Sequence, residues 1–255
     1  MFRRIGADPF LLLTAGKRLA RLHAEIHEKE ISGILTVKEK LRQEIEWAKE
    51  LSEDEKQKII NRLLLLPDFK QLCHFDFHPG NIMVNGDHIQ VLDWLTACSG
   101  NPAADIARTC ILLKYGEVRN GDRLSRLILS ITKACIRGAY IRNVLRLSGI
   151  SRDEILQWTV PVAAARLSEW LTEHERERLL ILNSIKNVES QRHLYRSDIV
   201  SLSQRCTLAS PPSLNFVRAK NTCCFIYILG GIQYQTDTRQ PEHTMRKTGL
   251  FCIKN

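Results

Sequence analysis

The residues best suited to chemistry lie close together in the stretch CHFDFHPGNIMVNGDHIQVLDW, residues 73–94. Asp76 is followed five residues later by Asn81, and a second carboxylate, Asp93, lies twelve residues beyond Asn81. A positioned carboxylate can take the proton of an attacking hydroxyl. An amide oxygen and a second carboxylate are the hard oxygen ligands that Mg²⁺ accepts. The stretch therefore holds the groups that a magnesium-dependent transfer to a hydroxyl requires.

The order and spacing of these groups match the catalytic machinery of phosphoryl transfer in protein kinases. There, a His-Arg-Asp triplet is followed after four residues by Asn, and a metal-binding Asp comes later in the chain. Here, the triplet 74–76 is followed after four residues by Asn81, and Asp93 comes after the turn residues 85–87. The spacing favours a kinase-like loop at residues 74–81, called the HFD loop below.

A second interpretation of the same stretch is a metal-dependent hydrolase. His74, Asp76 and His78 alternate, so on a strand their side chains would face one way and could bind zinc or iron. Such a site needs further ligands, and the other close histidine pair is His23 and His27, four residues apart. Because that pair lacks the glutamate of a zinc-protease helix, we expect it to serve ordinary helix packing.

The elements that must position the HFD loop are predicted to be mainly helices. Ser52 with Glu55 predicts a capping box, and Pro161 is expected to kink or split the last helix. Asn85-Gly86 between two short apolar runs predicts a β-hairpin. The fold class expected is therefore mainly α with one small β-hairpin. Apolar residues recur at helical spacing in six segments: 14–30, 36–50, 52–66, 105–116, 122–148 and 152–185.

The charge distribution and the composition argue against nucleic acid and membrane as partners. The chain has 255 residues and a net charge of +9, of which residues 190–255 supply most, with nine basic and three acidic side chains. The near balance of residues 1–189 argues against a nucleic-acid surface, and no apolar run reaches the ~18 residues of a membrane span. Eight cysteines without regular spacing favour a reducing, cytoplasmic location.

The C-terminal quarter of the chain differs from the rest. Residues 190–255 show no sustained helical period and include four of the eight cysteines. Their single apolar run, 223–229, has no evident partner segment. We therefore expect two regions: a helical lobe over 1–189, which contains the stretch 73–94, and a poorly ordered extension over 190–255.

Three separate elements of the chain resemble the aminoglycoside phosphotransferase family, whose fold is similar to that of protein kinases. The elements are HFDFHPGN at 74–81, LDW at 92–94 and GNPAAD at 100–105. Members of the family carry His-Gly-Asp-x-His-x-x-Asn, then Ile-Asp-Trp or similar, then Gly-x-Pro-x-x-Asp. Phe75 stands where the family has glycine, a departure expected to tighten the loop. The resemblance covers about residues 10–185.

The resemblance implies a reaction and a role for each matching residue. Asp76 would be the catalytic base, and Asn81 and Asp93 would bind Mg²⁺. The reaction would move the γ-phosphoryl group of ATP or GTP to a hydroxyl of a small molecule such as an aminoglycoside or a related alcohol. Structural support of the loop would come from His74, His78 and Asp105.

An aminoglycoside acceptor would need an acidic pocket for its ammonium groups. The last helical segment offers four glutamates, for which a solvated helix face is the expected place: Glu154, Glu169, Glu173 and Glu175.

The first lobe of a kinase fold is not evident in the sequence. No glycine-rich phosphate loop and no lysine-bearing strand precede residue 73, so the N-terminal sheet lobe is expected to be absent. The chain would then be a kinase-like C-terminal lobe with an exposed apolar face that allows self-association. Besides a truncated phosphotransferase, the sequence leaves open a catalytically impaired binding module and the metal-dependent hydrolase.

Overall fold

A computed structural model describes residues 9–85, 88–116 and 123–184. Within these ranges the chain is mostly helical with two small antiparallel sheets, so the mainly α class predicted from the sequence is confirmed. The helices are α1 Pro9–His27, α2 Val37–Trp47, α3 Glu53–Leu65, α4 Pro102–Tyr115, α5 Arg123–Ser148, α6 Arg152–Arg166 and α7 Glu173–Ser184. The strands are β1 Gln71–Cys73, β2 Ile82–Asn85, β3 His88–Val91 and β4 Cys98–Gly100.

The predicted hairpin is present, but it is accompanied by a second sheet that the sequence did not indicate. Strands β2 and β3 pair antiparallel from Ile82↔Val91 to Asn85↔His88. Strands β1 and β4 pair antiparallel, with Cys73 opposite Cys98. The single predicted hairpin is therefore confirmed, and the second sheet was missed because its three-residue strands, which pair across the whole HFD loop, leave no periodic signal in the sequence.

Helix α6 continues through Pro161, so the expectation of a split at this residue was wrong, and the alternative of a kink stays a prediction. The chain leaves the helical conformation only after Arg166, and α7 begins at Glu173. Proline inside a helix removes one backbone hydrogen bond and costs about 3 kcal/mol. Residues 158–166 of α6 are all buried, and this tertiary packing offsets that cost.

Helix α4 lies in the core and carries the residue that anchors the HFD loop. Its residues from Pro102 to Ile111 are all buried, including the charged Asp105 and Arg108. It packs against α5 and α6, while α1 packs along α5. At the α1–α5 contact, a side chain on Gly16 would come within 2.6 Å of Ala139 Cβ. Glycine therefore permits the close approach that brings the end of α1 beneath the loop.

Several expectations fall outside the part of the chain that the structure describes. The extension at 190–255 and the boundary at 189 are among them. In the described ranges, the sheets are the two small ones given above, and neither forms a separate sheet lobe. No helix in the same ranges combines the length and the apolar character needed to cross a bilayer.

Candidate functional site

The HFD loop is held at its base by a buried carboxylate. Asp105 Oδ2 accepts the backbone N–H of His74 at 2.7 Å, and Oδ1 accepts that of Phe75 at 3.0 Å. Burial alone would raise the pKa of Asp105, but the neighbouring His23 and His27 hold it well below its usual range. An ionised Asp105 on the rigid helix α4 thus fixes the first two residues of the loop.

His74 binds the backbone on both sides of its ring. Its Nε2 lies 2.9 Å from the Leu92 carbonyl, which can only accept, so the proton is on Nε2. Its Nδ1 then accepts the backbone N–H of Asp76 at 3.2 Å. The hydroxyl of Thr96 donates to the His74 carbonyl at 2.9 Å. Both ring nitrogens are engaged, so neither is available to a metal ion.

Asp76 presents one carboxylate oxygen while the other is fixed by its neighbours. Asn81 Nδ2 donates to Oδ2 at 3.0 Å and also to the Asp76 carbonyl at 2.9 Å. His78 Nε2 lies 3.6 Å from the same Oδ2. Burial opposes ionisation, but His78, Arg108 and Asn81 together lower the pKa of Asp76 to about 2. At neutral pH Asp76 is therefore an oriented carboxylate.

The proton on His78 faces Asp76 because of a short turn. Residues 79–81 form a single 3₁₀ turn, and His78 caps it by accepting the Gly80 N–H on Nδ1 at 3.0 Å. In the neutral ring the proton is then on Nε2, the atom that points towards Asp76. A side chain on Gly80 would approach the His78 ring within 2.7 Å, so glycine is needed for this cap.

Leu92, which follows the second strand of the hairpin, connects the segment of Asn81 to that of Asp93. The Leu92 N–H donates to the Asn81 carbonyl at 2.8 Å, and the Leu92 carbonyl accepts from His74. Asp93, which follows directly, is exposed and makes no side-chain capping bond. Asn81 uses its nitrogen for Asp76, which leaves its amide oxygen for another partner. An amide oxygen and a carboxylate are thus available on neighbouring segments.

Phe75 and Asp93 are the non-glycine residues in left-handed backbone conformation among the residues described. Their φ values are 63° and 62°. This conformation costs a side-chain-bearing residue roughly 1–2 kcal/mol, whereas glycine adopts it freely. The Phe75 ring is fully buried, with the Arg108 guanidinium 5.3 Å from its centre. Burial of the ring therefore supports a conformation that the family's glycine would adopt without strain.

The glutamates considered for an acidic acceptor pocket are mostly engaged elsewhere. Glu169 accepts from Arg108 at 2.7 Å and from Arg166 at 3.2 Å, and these cations lower its pKa against the opposing effect of burial. Glu154 closes the capping box of α6. Glu175 is buried and binds the Thr172 backbone N–H. A solvated helix face is therefore wrong for Glu169, which follows the end of α6 and pairs with two arginines, and for Glu175, which is buried in the first turn of α7.

Sequence reasoning missed the role of His23 and His27. Their Nε2 atoms lie 3.0 and 3.1 Å from Asp105 Oδ2. The ring of His23 also stacks on Phe77 at 4.1 Å, inside the HFD loop. The visible signal was their four-residue spacing, which places both rings on one face of a helix. Their partner Asp105, 78 residues after His27, cannot be read from the sequence. Arg108 was missed as well, although a charged residue between the apolar residues 106–107 and 110–113 of α4 was its visible signal.

The hydrolase interpretation finds no support in this geometry. Strand β1 ends at Cys73, and the left-handed Phe75 breaks the alternation on which that interpretation depended. His74 binds backbone through both nitrogens, so His74, Asp76 and His78 do not converge on one point.

Comparison with known proteins agrees with the geometry. The model of the phosphotransferase enzyme family, APH, matches residues 8–127, a segment that contains α1 to α4 and the whole HFD loop. No curated protein matches the chain. The match supports a phosphotransferase of the kinase-like type and confirms the resemblance drawn from the three sequence elements. Residues 8–127 of this chain are therefore similar to the phosphotransferase enzyme family.

Proposed function

We propose that this chain transfers the γ-phosphoryl group of ATP or GTP to a hydroxyl of a small-molecule acceptor, with Mg²⁺ bound by Asn81 and Asp93. The observation that carries the proposal is the ionised carboxylate of Asp76. Asn81 and His78 occupy the side of its Oδ2, and Oδ1 makes no hydrogen bond with the described residues. That oxygen is the one we assign to the acceptor hydroxyl.

Asp76 acts on the acceptor and not on the nucleotide. As the acceptor oxygen forms its bond to the γ-phosphorus, the bond to the bridging oxygen of the nucleotide breaks and a nucleoside diphosphate leaves. Asp76 orients the hydroxyl and takes its proton. A carboxylate with a pKa of about 2 is a weak base, so the proton moves late, as a loose transition state allows.

The donor set at Asn81 and Asp93 fits magnesium. Both side chains offer oxygen, and Mg²⁺ takes few protein oxygens while keeping several waters. Asp93 is exposed and free of capping bonds, and the Asn81 amide is turned by its two bonds to Asp76. Bound magnesium supplies positive charge that neutralises the phosphate oxygens.

The class of acceptor is limited by the charges near α4. Glu169 is neutralised by Arg108 and Arg166, so it offers no net negative charge to a polyamine. The Asp76 side chain is only 15% exposed, which favours a compact alcohol that can reach its carboxylate. We propose a small alcohol, with an aminoglycoside as the less supported acceptor.

Calorimetric titration with Mg·ATP and with Mg·GTP tests the proposal. We expect binding to the wild type, a loss of affinity of tenfold or more in Asp93→Ala, and unchanged affinity in Asp54→Ala. Asp54 is an exposed carboxylate in the first turn of α3, so it controls for the loss of one negative charge. Equal affinity in Asp93→Ala would remove Asp93 from the site.

A second variant separates binding from transfer. Asp76→Asn should bind the nucleotide as the wild type does and lose phosphoryl transfer in a screen of small alcohols. No binding of either nucleotide to the wild type would overturn the proposal and favour the catalytically impaired module.

A further inference from the structure

A second cluster of ligand-type side chains lies beneath the HFD loop. His23 and His27 are one helical turn apart on α1, so their rings share one face. Asp105 reaches them from α4, with its Oδ2 at 3.0 Å from His23 Nε2 and 3.1 Å from His27 Nε2. The three ligand atoms lie within 4.8 Å of one another, and all three residues are buried.

One ring nitrogen in this cluster is buried without a hydrogen-bond partner in the part of the chain that the structure describes. His23 Nε2 has no hydrogen bond of acceptable geometry among the described residues, although it is fully buried. A buried polar atom without such a bond requires a reason, and an ion is one of the few available.

We propose that His23, His27 and Asp105 bind one transition-metal ion of the zinc class. Zinc bonds of ~2.0–2.1 Å place tetrahedral ligand atoms about 3.3 Å apart, close to the two distances observed here. Two imidazoles and one carboxylate suit zinc, cobalt or iron far better than magnesium, which selects oxygen.

The atoms around the cluster are those that orient metal ligands. His23 Nδ1 lies 2.6 Å from the Tyr140 hydroxyl, so with Nε2 on the metal the ring can donate its other N–H to that oxygen. Asp105 keeps its two backbone bonds to the HFD loop. Hydrogen-bonded second partners of this kind fix ligating imidazoles and carboxylates. The ion would join α1 to the residue that anchors the loop.

An ion can reach the cluster from the end of α1. His27 is the last residue of that helix and keeps 7% of its surface exposed, whereas His23 and Asp105 have none. The competing arrangement has protons on both Nε2 atoms, which donate to Asp105 and complete a metal-free network. A titration with metal distinguishes the metal site from this hydrogen-bonded network.

The test uses the untagged full chain, stripped of metal with a chelator and titrated with Zn²⁺ alone. We expect one equivalent to bind, a loss of affinity of tenfold or more in His27→Gln, and retention in His88→Gln. His88 is an exposed histidine on β3 and controls for the loss of one imidazole. Asp93→Asn should also bind one equivalent of Zn²⁺. This result would exclude zinc binding at the proposed magnesium ligands.

A spectroscopic measurement on the wild type covers the case in which His27→Gln does not fold. Added Co²⁺ should give the intense visible bands of a four-coordinate nitrogen and oxygen site, without thiolate charge-transfer bands. Thiolate bands, no binding of either metal, or equal zinc affinity in folded His27→Gln would each overturn the proposal and leave the hydrogen-bonded network.

Discussion

Asp105→Asn should destabilise the folded chain by about 3–5 kcal/mol. The carboxylate accepts two backbone N–H groups, from His74 and Phe75, at the buried base of the HFD loop. Asparagine keeps one acceptor oxygen and turns an NH₂ group towards the other backbone N–H. One charge-assisted hydrogen bond, worth ~1.5–3 kcal/mol, is lost, and one buried donor remains unpaired at a further ~1–3 kcal/mol. The isosteric change leaves the packing volume almost unaltered.

Urea denaturation measures this loss as a lower midpoint at unchanged slope. Hydrogen exchange of the His74 and Phe75 amides should accelerate in the variant more than exchange elsewhere in the core. Asp54→Asn, which changes an exposed carboxylate on α3, is the matched control and should stay within ~0.5 kcal/mol of the wild type. A cost below 1 kcal/mol for Asp105→Asn would refute the anchoring argument.

The same variant carries a pH signature whose sign follows from the pKa of Asp105. Its folded-state pKa lies well below the unfolded value of ~3.9, so the unfolded chain binds the proton first as the pH falls. The stabilisation is therefore fully present above about pH 5 and is lost as the pH falls through the folded-state pKa. The stability difference between wild type and Asp105→Asn should shrink below about pH 4. A difference that stays constant with pH would contradict an ionised anchor.

Phe75→Gly should relieve roughly 1–2 kcal/mol of backbone strain but lose a buried aromatic ring worth ~3–5 kcal/mol, so thermal unfolding should show a net loss of about 2–3 kcal/mol. A stabilised variant would mean that the ring contributes little. Ser52→Ala removes the capping box with Glu55 and should cost ~1 kcal/mol in urea, and Ser52→Thr should restore it. Self-association through the exposed apolar face stays a prediction from the sequence. Leu95 is 93% exposed next to the hairpin, so Leu95→Asp should weaken any concentration-dependent dimer in sedimentation, and an unchanged dimer would exclude this face.

Local signals in the sequence predicted most of the elements. Helical periodicity located the helices, although it placed the start of α1 at 14, whereas the structure begins it at Pro9. The Ser52 capping box and the Asn85-Gly86 hairpin have the predicted positions, because each depends on residues within four positions of one another. The three motifs of the HFD region identified the family for the same reason. Their residue types and spacing are fixed by the chemistry and can be read along the chain.

Tertiary structure decided which distant groups meet. Asp105 lies 31 residues from His74 and 78 from His27, and only the packing of α1 and α4 brings them together. The pairing of β1 with β4 and the passage of α6 through Pro161 also depend on partners far along the chain. The sequence by itself therefore determined the phosphotransferase-like motifs and predicted their chemistry. The folded chain determined the buried support beneath them, because contact energies between distant segments leave no periodic pattern in the sequence.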